Sequence, residues 1–122
     1  MLTRIDHIDL KVPELTAAVE FLHSMGLVTV RVTDQSRGSV ELSLPGPGQV
    51  VFELREDPSL TQTTLNHIAF ASDDPVPDVQ ALVDSQLPVT KAHALIKHSG
   101  RTISNVSDPS GTTWQITETS NS

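Results

Sequence analysis

The chain has 122 residues, which suits one compact domain. Eight Lys and Arg face fifteen Asp and Glu for a net charge of -7, and the basic residues are scattered. This argues against nucleic acid, whose phosphates favour clustered cations. Without cysteine there is no disulfide framework, thiolate metal site or cysteine nucleophile. No apolar run approaches the roughly 20 residues of a membrane span, and the opening residues Met1–Arg4 lack a signal-like apolar stretch, so a cytoplasmic location is expected.

Alternation over residues 5–12 predicts a strand. Pro13 stops it and suits the first turn of a helix. Leu15, Ala18, Val19, Leu22 and Met25 recur at helical spacing, with Gly26 placed as the C-terminal cap. Residues 27–33 are rich in β-branched side chains and read as a strand. Residues 39–44 and 49–55 predict two more, around the turn signal Pro45-Gly46-Pro47-Gly48. After a polar segment, 56–64, the order repeats. A strand at 65–71 is followed by a helix at 76–86 through Val76, Val79, Leu82 and Val83. Strands near 89–96, 101–107 and 112–118 complete it, the last two joined by Asp108-Pro109-Ser110-Gly111. The tail from Thr119 is expected to fray.

Each half therefore reads as βαβββ, and the residues themselves repeat. Asp6-His7-Ile8 opens the first half and Asn66-His67-Ile68 the second. Val19 and Leu22 recur as Val79 and Leu82. The expected organisation is one domain over 1–122, with a first module at about 1–57, a linker at about 58–64 and a second module at about 65–118. With aromatic content of only 3%, the core must be aliphatic.

Side chains alternate across a strand. His7 and Asp9 oppose Ile8 and Leu10. Glu53 and Arg55 oppose Phe52 and Leu54. His67 opposes Ile68 and Phe70, and Gln115 opposes Trp114 and Ile116. The apolar faces are expected under the helices, Trp114 among them. The polar faces of a curved sheet would bring His7, Glu53, His67 and Gln115 to one concavity. Two imidazoles, a carboxylate and an amide oxygen suit a divalent ion such as nickel, cobalt, zinc, manganese or iron.

The surroundings of His7 and His67 and the Asp108–Gly111 turn before the final strand resemble the vicinal oxygen chelate superfamily. Its members include glyoxalases, methylmalonyl-CoA epimerases, extradiol dioxygenases, fosfomycin-resistance enzymes and bleomycin-resistance proteins. The resemblance covers nearly the whole chain. It implies two tandem βαβββ modules whose curved, open mixed sheets form a cavity, often in a homodimer. It also implies a metal bound at His7, Glu53, His67 and Gln115. Gln115 stands where the family usually has glutamate, so one donor is uncharged and cannot act as a base.

With Glu53 as base, the resemblance implies lyase or isomerase chemistry through an enediolate-type intermediate. The alternative is a metal-free protein that binds a small molecule or drug without reaction. An extradiol dioxygenase is less favoured: His98 resembles the assisting histidine of those enzymes, but Asn105 stands at their tyrosine position and Gln115 at their glutamate ligand. A thiol transferase is disfavoured by Gln115 as well. Asp9, Ser43, Arg55, His98, Arg101, Asn105 and Thr113 are the expected substrate-pocket residues. His23 and His93 are expected at the surface.

Overall fold

The computed structural model describes residues 1–33, 38–97 and 99–118. Among these residues, eight strands and two helices follow in the order β1 (Leu2–Val12), α1 (Leu15–Ser24), β2 (Val28–Val32), β3 (Ser39–Ser43), β4 (Val51–Glu56), β5 (Thr64–Ser72), α2 (Pro75–Asp84), β6 (Val89–Ile96), β7 (Arg101–Ser107) and β8 (Thr113–Glu118). This is an α+β fold that runs βαβββ twice. β1 begins three residues earlier than its alternation suggested. The chain forms two compact units: residues 7–66, and Met1–Asp6 together with the chain from His67 onward.

In the unit of residues 7–66 the strands lie in the order β2-β3-β4-β1. β1 runs parallel to β4, and the other neighbours are antiparallel. Leu10 pairs with Leu54, and Val40 and Leu42 pair with Leu54 and Phe52. Register partners share a face, so these side chains make one apolar surface. Val12, Leu27, Leu42 and Leu54 are its buried centre, and Leu15, Ala18, Val19 and Leu22 of α1 pack against it. Burying a Leu or Val of this kind stabilises by about 1.5–3 kcal/mol. Met25 departs from the helical pattern: it is the C-cap and 62% exposed.

The ends of α1 follow from local chemistry. Pro13 precedes the N-cap, Glu14, instead of entering the first turn. The Leu15 N–H, which has no partner within the helix, donates to the Glu56 carboxylate at 2.9 Å. At the other end Gly26 has φ +103°, a left-handed conformation that favours glycine. The Leu27 N–H then reaches back to the Leu22 carbonyl at 3.0 Å and closes the helix.

In the second unit the order is β5-β8-β7-β6, with β5 parallel to β8. Its apolar face differs in character. Phe70 and Trp114 stack with centroids 6.0 Å apart, and Val79 of α2 is buried. Trp114 is half-buried and not fully in the core. Its indole N–H donates to Asp108 at 2.9 Å. The other Asp108 oxygen accepts from the backbone N–H groups of Ser110 and Thr112. One carboxylate thus shapes the β7–β8 turn and pins the aromatic pair. The Trp114 bond foremost, then that from Ser110, holds the Asp108 carboxyl down at about 2.

The strands that end each order, β2 and β6, are both bulged. Bulges discourage pairing with another chain.

Candidate functional site

The two polar faces are built alike. In residues 7–66 the parallel β1–β4 register sets His7 opposite Val51 and Asp9 opposite Glu53. His7 and Glu53 are therefore diagonal neighbours on one face. In the second unit the β5–β8 register sets His67 opposite Thr113 and Ala69 opposite Gln115. His67 and Gln115 take the same diagonal. Such neighbours lie about 7–8 Å apart at the backbone, within joint reach of long side chains. All four side chains are buried, from His7 at 1% exposed to His67 and Gln115 at 7%.

The surroundings of the two diagonals differ. Beside Glu53 on β4 lies Glu41 of β3, its register partner, and Glu41 is itself 3% exposed. Glu41 in turn pairs across the strand with Arg31 of β2, where the bulge has shifted the register. Glu41 was not among the expected site residues. The signal was present: Ser39, Glu41 and Ser43 alternate with Val40 and Leu42, so strand parity puts Glu41 on the polar face. Ser43 is buried there and donates its hydroxyl to the Leu44 carbonyl.

Asp9 has no exposed surface. Its Oδ2 accepts from Arg55 Nε at 3.0 Å and Nη2 at 2.9 Å, and its Oδ1 accepts from the Asn66 amide at 3.2 Å. Asp9 thus faces protein groups, and Arg55 carries the exposed end of the pair. The Arg55 guanidinium also lies 4.0 Å from Glu53 Oε1.

The register partners of Gln115 are Ala69 and Asn105, and Asn105 accepts its amide N–H at 3.1 Å. That bond turns the Nε2 side of Gln115 toward Asn105. Thr113 is half-buried beside His67. Arg101 is buried, with Nε 3.7 Å from Asp6. His98 lies outside the described residues. His23 and His93 are exposed, and His93 Nδ1 lies 3.1 Å from Glu118.

Each unit offers an imidazole and an oxygen donor, and these donor types fit a borderline divalent ion. They stand as pairs. Among the described residues, no three or more His, Asp and Glu side chains are gathered in an arrangement that could hold a metal.

Residues 4–116 match the family model of the Glyoxalase/Bleomycin resistance protein/Dioxygenase superfamily, and the chain belongs to that superfamily. Among solved structures, a methylmalonyl-CoA epimerase variant from Streptomyces coelicolor, in complex with 2-nitronate-propionyl-CoA, is 21% identical with a TM-score of 0.79; the match covers 98% of this chain and 99% of that one. Methylmalonyl-CoA epimerase from Mycobacterium tuberculosis is 19% identical, with a TM-score of 0.73 over 98% of this chain and 89% of that one. A hypothetical protein from Bacillus halodurans is 17% identical, with a TM-score of 0.74 over 98% and 96%. At these identities the likeness establishes the fold. No curated protein matches the sequence significantly. Among the described residues, no helix is long and apolar enough to cross a membrane.

Proposed function

We propose that this chain is a glyoxalase-like isomerase or lyase that moves a proton between a carbon of a small molecule and the enzyme, through an enediolate-type intermediate. The observation that carries this reading is the buried carboxylate Glu53, set on a polar face at the diagonal from His7. A buried carboxylate within reach of a substrate carbon can act as a general base. Glu53 would take the proton from a carbon next to a carbonyl and return it to the same or the adjacent carbon. Glu41, its cross-strand neighbour, is a second carboxylate at hand where the proton must return from another side. Fold likeness to epimerases supports the reading, since inverting a carbon centre requires a proton to leave and return.

His7, Glu53, His67 and Gln115 would hold a divalent ion. When bound, such an ion supplies Lewis acidity toward two neighbouring substrate oxygens. Elemental analysis of untreated protein, with His7→Ala and His67→Ala, tests this. The expected result is about one equivalent of metal, lost in both variants; a metal content that neither variant lowers would remove the assignment.

A second reading, a binding protein without chemistry, has one observation in its favour. A cavity of about 500 Å³ lies on the α1 side of residues 7–66, lined by Leu10, Val12, Ala18, Phe21 and Leu54 among others. That volume lies within the usual range of small-molecule pockets. Thermal-shift screening with and without chelator separates the two. Ligand stabilisation that survives both chelator and His7→Ala would favour the binding protein.

A two-fold dimer is part of the enzyme reading. Its support is apolar surface: Phe21, Met25, Val28, Val30 and Val32 are each at least 42% exposed. Light scattering at micromolar concentration should give twice the chain mass; the mass of a single chain would exclude the dimer.

A further inference from the structure

Arg55 and Arg101 both sit on the polar faces, and they are held differently. Arg101 is buried against Asp6, with little of its side chain exposed. Arg55 is gripped along one edge only. Asp9 accepts from Nε and Nη2, and Asn66 holds the other Asp9 oxygen. A guanidinium has five N–H donors in a planar fork. The clamp uses two of them, and Nη1 has no hydrogen-bond partner among the described residues. The Arg55 side chain keeps 24% of its surface exposed, while Asp9 keeps none.

This arrangement has a direction. Asp9 is fully buried and its oxygens are engaged, so it cannot rotate outward to meet a ligand. It fixes the guanidinium plane from behind and leaves the Nη1 side facing away from the clamp. An arginine edge held in this way matches the two oxygens of a carboxylate, through short charge-assisted hydrogen bonds. Glu53 Oε1 lies 4.0 Å from Nη2, one of the two clamped nitrogens, so the guanidinium as a whole sits near the proposed base.

We propose that Arg55 is a specificity residue that binds a carboxylate of the substrate, with Asp9 as its positioning residue, so that the small molecule turned over at Glu53 is a carboxylic acid. This deepens the isomerase reading and rests on it only for the identity of the neighbouring base. The anion site consists of Asp9, Arg55 and Asn66 alone.

The probe is malonate, with malonamide as its uncharged counterpart. Binding is followed by calorimetry at constant ionic strength, on protein as purified and again after passage over a chelating resin. Wild-type protein is expected to prefer malonate by about tenfold or more, which corresponds to ~1.4 kcal/mol. Arg55→Gln alone leaves Asp9 buried without its cation and is expected to destabilise the fold. The decisive variant is therefore Asp9→Asn combined with Arg55→Gln, which removes both charges. It should bind the two probes alike while keeping its circular dichroism spectrum.

Asp9→Asn alone retains the guanidinium without its charged clamp. The preference for malonate should fall several-fold, a ratio that a merely structural role would not move. The proposal is overturned if wild-type protein shows no preference for malonate, or if the preference survives in the double variant. Because binding is read without turnover and after metal removal, a failed metal or isomerase assignment leaves this result standing on its own.

Discussion

The two units set an imidazole and an oxygen donor on the same diagonal of a parallel strand pair, but they equip that diagonal differently. In residues 7–66, His7 and Glu53 are accompanied by a second buried carboxylate, Glu41, and by the clamped Asp9–Arg55 pair. In the second unit, His67 and Gln115 are accompanied by Asn105 and Thr113. Duplication has kept the backbone register, while the chemistry has diverged. The first diagonal carries a carboxylate with a second one beside it, and the second diagonal carries an amide in that place. The apolar faces diverge too: the first is an aliphatic cluster, and the second centres on a stacked aromatic pair tied to Asp108.

The largest effects should separate the two diagonals. With an accepted substrate in heavy water, Glu53→Gln is expected to slow proton exchange by about 10²–10⁴-fold. Gln115→Ala should leave a larger share of the rate, because a neutral amide cannot be the base. Equal losses would break the contrast.

The next test concerns the cores. Leu54→Ala should destabilise by about 2–5 kcal/mol in urea denaturation, and Ile116→Val in the second unit by about 0.5–1.5 kcal/mol. A loss below 1 kcal/mol for Leu54→Ala would show that the aliphatic cluster is not the first unit's main support.

The charge of the second unit's oxygen donor should have a smaller effect. Gln115→Glu supplies the second unit with a charged oxygen. Metal affinity, measured by competition with a chelating dye, is expected to rise about tenfold, or ~1.4 kcal/mol. Unchanged affinity would mean that Gln115 is not a ligand.

The smallest effect is a pH dependence confined to the second unit's turn. The Asp108 carboxyl is held at about 2, below its ordinary 3.8, by bonds to Trp114 and Ser110. A group whose pKa is depressed on folding favours the folded state above its unfolded value, and that contribution fades as pH falls through the folded value. Asp108→Asn should therefore lower Tm by its full amount above pH 4. The gap to wild type should narrow toward pH 2, and a gap that is constant from pH 6 to 2 would exclude this cause.

Strand parity made much of the polar faces legible. His7, Glu53, His67 and Gln115 each alternate with Ile, Leu, Phe or Trp, and period two alone assigns them to a face. The same rule applied to Ser39–Ser43 marks Glu41, but the surroundings of Glu41 are not repeated in the second half as those of His7 are. Helix limits were less legible. Pro13 fits a first turn by residue type, yet Glu56, 41 positions beyond Leu15, supplies the carboxylate that satisfies the helix start.

The βαβββ duplication, the order of elements and the faces of the strands can be read from the amino-acid sequence. These rest on local periodicity and turn chemistry, which neighbouring residues carry. The folded chain supplied the register, and with it which groups meet. It set Asp9 against Arg55 and Glu41 beside Glu53. It also tied Trp114 of the aromatic pair to Asp108. Such contacts depend on how strands distant in sequence align, and alternation assigns a side chain to a face without specifying its partner there.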